Sequence, residues 1–548
     1  MKNRQKAQIS LLCDVVNIIS YKSNIYLIIS KKKIEVYGRA MENYINEKKI
    51  GTFAINGDDY LGELKLRGED SLLTVWGDNR ATSTLGHNLP EQIHCLFSDL
   101  QRATLIGIAT FGGGSHSKKR PNGDYEIRHY SEIHPNYVLF GDRYIEKEEC
   151  SFEALEFVTS HSTTLFHDYH SFQDIMHTNK EMVEQLITED YAKSKELYGY
   201  PSSERDIKIG DHPIISIYTG SHELCAFDTS IGRIEINNIP SHQLASSNGY
   251  SIENKVSCTI RFSKQLNFEQ ANKKLAPLLS VFELIMGRRL QVLEYKLHAP
   301  SSKEYSDTFV IYQCKNNTIE EGEKTPLPAQ RLIHVESNLN EFETVVKNWL
   351  ARQNEWQDAR WQFFGSFTEN QYDTDRLIKV ANMFDIIPDS AYGGKVELTT
   401  ELQTAKTDCR KIFRELSESI ERNSILGALG RLGTKSLKHK IQTRVAIIKS
   451  TISVDLSDIE FIAEHSVDCR NHFVHGGKRK FDYYDNFDMV CFFINTLEFI
   501  YGVSELIESG WDFDNWKSNS PMNHPFVWYI EDYQINLRKL QSVTKKPV

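Results

Sequence analysis

The stretch Ser457–Gly477, SDIEFIAEHSVDCRNHFVHGG, reads as one helix with both ends marked. Ser457 with Glu460 three residues on is a capping-box pattern. Gly476 and Gly477 supply the residue type that accepts the left-handed backbone in which helices stop. The helix is therefore expected to run from about residue 458 to 475. With side chains ~100° apart, Ile459, Ile462, Ser466, Cys469 and Phe473 form one stripe, suited to a core. Glu464, Asp468, Asn471 and His475 stack along the opposite stripe. Arg470 lies between the two, with reach toward either. A plain solvated face favours Lys and Glu, so Asn471 beside Arg470 asks for a further reason. A histidine in the last turn also complements the negative end of the helix dipole, and an R-x4-H string alone is common. Its weight here comes from the helices around it.

Those helices extend in both directions. Leu377, Val380, Ala381 and Phe384 mark one, stopped by Pro388. Leu398, Leu402, Ala405, Cys409, Ile412, Leu416 and Ile420 keep a three–four spacing and predict one long helix. Leu437, Ile441, Arg444 and Ile448 mark another, basic on its outside through Lys435, Lys438, Lys440 and Arg444. Met489–Ile507 is apolar nearly all round, as a central bundle helix is. Upstream, Trp349, Trp356 and Trp361 are expected as core anchors of a helical connector.

From Gly51 to Tyr312 the texture changes. GTFAI, GELKL, SLLTVWG, ATLIGIATF and NYVLFG are short β-rich runs separated by turn residues, and PIISIY, GRIEINNIP and KVSCTIRFS follow. Phe111–Glu126, FGGGSHSKKRPNGDYE, reads as a hairpin tip or loop. KKLAPLLSVFELIMG looks helical and LQVLEYKLH a strand. Lys315–Gln330, polar with two prolines, is the best linker. The fold class is thus α+β: a β-rich N-terminal domain over 41–314, a linker and helical connector over 315–374, and an all-α bundle over 375–548. Residues 1–40 are expected to be a dispensable extension, since Met41 opens a second plausible beginning.

The 548 residues are enough for two or three domains, and a net charge of -10 confines any nucleic-acid site to a local basic patch. Nine cysteines form no C-x-x-C pair, which speaks against a zinc knuckle or disulfide framework and for reduced thiols in a cytoplasmic protein. The basic, apolar start is broken by Asp14, Asn17 and Lys22, so it is not a signal peptide. No 18-residue apolar span is read, hence no membrane helix.

Two other patterns invite a functional reading. Gly427–Ser436, GALGRLGTKS, is not a phosphate loop: Thr434 separates Gly433 from Lys435 and helices flank it, so an interhelical turn is expected. His161, His167, Asp168, His170 and His177 could bind zinc, but their spacing fits no helix face, and scattered histidines are the expectation.

Arg470-Asn471-His472-Phe473-Val474-His475 resembles the R-N-x3-H form of the R-x4-6-H motif of HEPN domains, and residues 375–510 have the helix count and order of that superfamily. The β-rich half, with GTFAINGD (Gly51–Asp58) and GELKL (Gly62–Leu66) near its start, resembles the N-terminal domain of ApeA-type bacterial anti-phage abortive-infection proteins, which carry a C-terminal HEPN domain. The resemblance covers nearly everything from Ile50 onward.

It implies a metal-independent endoribonuclease without cofactor that dimerises through its HEPN domain and builds a composite site from two copies of this helix end. An imidazole titrating near neutrality can take the 2′-hydroxyl proton as that oxygen attacks the adjacent phosphate, worth ~10²–10⁴-fold in rate. A guanidinium can hold the phosphoryl oxygens as charge builds. By position His475 is the expected general base or acid, Arg470 the phosphate ligand, and Asn471 an orienting or RNA-contacting group. Asp468 and Glu464 either fix the imidazole tautomer or solvate the helix. His472, off that stripe, is expected as a half-buried packing residue. Lys478, Arg479 and Lys480 are candidate RNA-phosphate contacts, which Lys435, Lys438, Lys440 and Arg444 would extend. Expected partners are RNA, host tRNA included, and a phage-derived trigger. The rival reading is a non-catalytic HEPN binding or dimerisation module with a ligand- or partner-sensing N-terminal domain.

Overall fold

The β-rich half forms one long antiparallel sheet, alternately buried and exposed along Lys48–Ile55 but buried along nearly the whole of Arg102–Ile106, Phe152–Thr159 and Thr308–Gln313. The computed structural model describes residues 48–198, 208–243, 249–300, 308–314, 325–369, 371–393 and 397–545. The expectation for residues 1–40 lies outside the described residues, as does most of the expected linker. Among the described residues the strands are β1 (Lys48–Ile55), β2 (Asp58–Lys65), β3 (Leu72–Gly77), β4 (Gln92–Phe97), β5 (Arg102–Ile106), β6 (Ala109–Lys119), β7 (Tyr125–His134), β8 (Tyr137–Gly141), β9 (Phe152–Thr159), β10 (Phe172–Ile175), β11 (Ile215–Tyr218), β12 (Glu223–Thr229), β13 (Gly232–His242), β14 (Ile252–Leu266), β15 (Val292–His298) and β16 (Thr308–Gln313). Fourteen pair in the order β12-β13-β14-β9-β15-β16-β8-β5-β4-β1-β2-β3-β7-β6, and β10 with β11 makes a separate ribbon. In β1, Gly51, Phe53 and Ile55 point inward while Thr52 and Ala54 face solvent, the period of two that one buried face requires. Of Phe111–Glu126, only residues 120–124 are a hairpin tip, with Gly123 at φ 95; the rest belongs to the paired strands β6 and β7.

The sheet serves two cores. Phe53, Ile55, Leu73, Ile93, Leu105 and Val138 of the strands fill most of the first, joined by Leu85 from the 3-10 turn Arg80–His87. The second begins at β9 and β12–β15 and continues without a break into the helices. On its way lies an ion cluster. Glu156 on β9 meets Lys296 at 3.1 Å and His298 at 3.0 Å, both on β15. Burial alone would raise the Glu156 carboxyl, but His298 and Lys296 outweigh it and hold it down at about 2. A carboxyl depressed in the folded state stabilises above its unfolded pKa, and that stability is lost as pH falls through the folded value. Glu156→Gln is therefore expected to cost about 1–3 kcal/mol at pH 7. The gap to the wild-type chain should close between about pH 5 and pH 2, which urea midpoints across that range would measure.

Helices follow as α1 (Ser162–Leu165), α2 (Lys180–Tyr198), α3 (Phe268–Met286), α4 (Leu339–Ala351), α5 (Gln353–Phe367), α6 (Thr374–Met383), α7 (Thr400–Glu415), α8 (Ile420–Arg431), α9 (Leu437–Thr451), α10 (Ile459–His475), α11 (Phe487–Ser509), α12 (Phe513–Ser518) and α13 (Pro525–Thr544). α3 opens on an Asn267–Gln270 capping box and ends at Gly287 in the left-handed conformation. A Cβ at Gly287 would come within 2.5 Å of Pro525 Cδ, so glycine also lets α13 seat against α3. Trp349 on α4 donates its indole N–H to Ser280 Oγ on α3 at 3.3 Å, locking the first bundle helices to the β-rich half.

Several expectations need correction. Trp349 and Trp356 are core residues, but Trp361 is 79% exposed. The long helix from Leu398 is two helices. Leu416 is extended, and the Ser419 hydroxyl accepts from the Arg422 N–H to start α8 afresh. No residue of α7 or α8 is buried, and Leu402, Ile412, Leu416 and Ile420 all face solvent. The basic outer face expected of α9 is partly an inner one. Arg444 is fully buried against Ser504 and Glu508, and Lys440 Nζ donates to the Asp385 carbonyl at 2.7 Å.

α11 is the expected central helix. Contrary to the sequence reading, it is long and apolar enough to cross a membrane, yet most of it is buried inside the protein. Its carboxylates Glu498 and Glu505 are enclosed with Arg376 of α6, Arg360 of α5 and Arg352 of the turn between α4 and α5.

Candidate active site

α10 begins differently from the capping box read at Ser457. Its N-cap is Asp458, left-handed at φ 65 and without a side-chain cap bond. The Ser457 carbonyl instead accepts from the Tyr533 hydroxyl of α13 at 2.6 Å. The other end matches expectation. Gly476 sits at φ 68 and its N–H donates to the His472 carbonyl at 2.9 Å, while the Gly477 N–H reaches the Asn471 carbonyl. A Cβ on Gly476 would meet nothing within 4 Å, so the backbone angle, not space, is what favours glycine there.

The core stripe holds: Ile459, Ile462, Ser466 and Cys469 are buried, with Phe473 half-buried. Phe473 packs near Tyr483, and Phe481 near Phe493 of α11, so an aromatic cluster roots the helix end. His472 is half-buried, its Nδ1 2.6 Å from the Gly477 carbonyl and its ring against Tyr483.

At the open end three groups come together. Arg470 turns to the His475 side, its Nη1 donating to Asn471 Oδ1 at 3.0 Å and lying 3.3 Å from His475 Nε2. A guanidinium has no acceptor, so a hydrogen bond in this contact requires Nε2 to offer its lone pair. His475 is exposed; Arg470 and Asn471 are half-buried. The guanidinium also donates through Nη2 to Asn382 Oδ1 on α6. Asn382 was missed in the sequence. It lies 88 residues away, and its only signal was one amide on a helix otherwise turned inward by Leu377, Val380, Ala381 and Met383.

The acidic residues of the stripe have other partners. Asp468 meets Lys438 at 2.8 Å and Lys480 at 3.4 Å. Burial would raise its carboxyl, but these two lysines outweigh that and hold it below the ordinary range. Glu464 accepts from Gln442 Nε2 at 3.0 Å. Of the basic run, Arg479 pairs with Asp482 at 3.2 Å, Lys480 with Asp468, and Lys478 is exposed. Lys435 donates to the Tyr392 carbonyl. The cationic surface beside the helix end is thus mainly Lys438, Lys478, Arg479 and Lys480.

The histidines at 161–177 do not converge. His161 caps α1 at φ 60, His170 and His177 are exposed, and the buried Arg331 takes the carbonyls of Leu165 and His167. Burial, then the charge of Arg331, pushes the His167 imidazole down. Among the described residues no group of three or more His, Cys, Asp or Glu is placed to hold a metal ion. Gly427–Ser436 spans the end of α8 and the turn into α9, as expected for an interhelical turn.

Comparison with curated proteins and with solved structures finds no match. Two family models do match. The Apea-like HEPN family covers residues 378–515, from α6 through α12 with the Arg470–His475 helix inside it. The ApeA N-terminal domain 1 covers residues 48–349, more than half the chain, from β1 into α4. The chain therefore belongs to the ApeA family of anti-phage proteins, its β-rich N-terminal half joined to a helical HEPN domain of the nuclease type.

Proposed function

We propose that the chain is an endoribonuclease that works without a metal ion at the C-terminal end of α10. The observation that carries this reading is the contact of Arg470 Nη1 with His475 Nε2 at 3.3 Å, at a helix end open to solvent. His475 in its basic form takes the proton of a ribose 2′-hydroxyl. The 2′-oxygen attacks the adjacent phosphorus, and the bond to the 5′-oxygen breaks. A proton returns to that leaving oxygen, giving a 2′,3′-cyclic phosphate and a 5′-hydroxyl. Arg470 neutralises the charge that builds on the phosphoryl oxygens, Asn471 steadies the guanidinium, and Lys478 with its basic neighbours draws in the RNA backbone. Asp468 and Glu464 support the helix face through Lys438, Lys480 and Gln442. The substrate is cytoplasmic RNA, host tRNA among it, and its loss stops growth of the infected cell. The N-terminal domain receives a phage-derived trigger.

Purified full-length chain in EDTA tests this. RNA should be cut and DNA of the same sequence left intact; equal cutting of both, or no cutting of RNA even with phage-derived components added, would reject the reading.

The active form is a homodimer through the HEPN domain. In a single copy the α7–α8 hairpin leaves Leu402, Ile412, Leu416, Ile420 and Ile425 exposed, an apolar patch that asks for cover. Six basic and five acidic residues between Glu401 and Arg431 leave it near neutral, so two copies do not repel. Light scattering should give about twice the 63.3 kDa chain mass, and Ile412→Glu with Ile420→Glu should return it to one chain. A wild-type monomer at micromolar concentration would contradict this.

A further inference from the structure

Taking Arg470 as the phosphate ligand leaves its aim to be explained, because a long side chain at a helix end has many rotamers. Two amide oxygens set that aim. Asn471 Oδ1 takes Nη1 from within α10, and Asn382 Oδ1 takes Nη2 from α6. Asn382 is well anchored. Its helix buries Leu377, Val380, Ala381 and Met383, is capped by Asp373, and is clamped by Arg376 on the buried Glu498 at 3.0 Å. Just past its end Lys440 holds the Asp385 carbonyl, while the Asp385 N–H donates to the Asn382 carbonyl at 2.9 Å.

We propose that Asn382 is a positioning residue that holds the Arg470 guanidinium toward His475 while leaving its charge uncompensated for an RNA phosphate. The inference rests on the nuclease reading of the site. An amide is suited to this task because its oxygen accepts the N–H without neutralising the cation. A carboxylate in the same place would accept equally well, pair with the guanidinium, and compete with the phosphate.

That difference gives a signature that a packing role would not produce. In the full-length chain Asn382→Asp should keep or raise the melting temperature yet raise KM for RNA about 10–100-fold, the scale of one charge-assisted contact. Asn382→Ala should instead lower kcat by about tenfold or more with a smaller change in KM. Anisotropy with an uncleavable 2′-O-methyl RNA separates this inference from the reaction itself. Asn382→Asp should weaken binding in the chain that carries Arg470 and change nothing in Arg470→Ala. Weakening only in the presence of Arg470 upholds the assignment even if wild-type chain cuts no RNA with phage-derived components added, an outcome that would reject the nuclease reading alone. The assignment is overturned by variants that bind and cut as wild type, by equal weakening with and without Arg470, or by wild-type chain that does not bind the RNA.

Discussion

Replacing His475 with alanine is expected to lower the RNA cleavage rate about 10²–10⁴-fold, the range for loss of a general base or acid. The loss should fall on kcat, because the imidazole acts as the proton moves and adds little to ground-state binding. Folding should be untouched. His475 is exposed, in the last turn of α10, and its ring lies against Arg470 rather than in a core. Arg470→Ala should cost a similar factor, but with a rise in KM as well, since a cation near the phosphate also holds the substrate. Because the two residues touch, the double variant should lose less than the product of the two single losses. Cleavage rates of the three variants with melting temperatures measured alongside would test all of this.

The second large effect concerns stability. Glu505→Ala should destabilise the chain by about 3–5 kcal/mol, the cost of stranding buried charge. Glu505 on α11 is fully buried and takes Arg360 through Nε at 3.1 Å and Nη2 at 2.7 Å, and Arg352 at 2.8 Å. Burial would raise its carboxyl, but Arg360, then Arg352 and Arg444, outweigh that and keep it ionised. Removing it leaves at least one enclosed guanidinium, Arg360, without its counter-ion in the middle of the bundle. Lys449→Ala, which removes the exposed partner of Glu460, should by contrast change stability by less than about 1 kcal/mol. Urea midpoints of the two variants give the comparison directly.

What could be read in advance was local. The short β-rich runs of the N-terminal half announced strands, because residue type and flanking turn residues are properties of adjacent positions. The end of α10 was legible because a left-handed Gly476 and a stripe of Ile459, Ile462, Ser466 and Cys469 are properties of adjacent residues. What could not be read depended on partners far along the chain. Ser457 does not cap: the helix starts after a left-handed Asp458, and the Ser457 carbonyl is bonded by Tyr533, far along the chain. Lys440 and Arg444 look like a basic surface until the Asp385 carbonyl and Glu508 supply inward partners. The run from Leu398 to Ile420 kept its helical spacing across a break, so periodicity alone could not show that α7 and α8 are separate or that their apolar residues face solvent. Within the site, Arg470, Asn471 and His475 share one helix and could be brought together on paper. Asn382 could not, because only the packing of α6 against α10 brings it to the guanidinium.

The most direct test of the account is the chemistry of the cut ends. Full-length chain, Arg470→Ala and His475→Ala would each be incubated in EDTA with one RNA, and the fragment ends identified by mass. The account predicts 2′,3′-cyclic phosphate and 5′-hydroxyl ends from the wild-type chain, and loss of both with either substitution. Fragments with 5′-phosphate and 3′-hydroxyl ends, or cyclic ends made equally well by all three proteins, would place the chemistry elsewhere than at the end of α10.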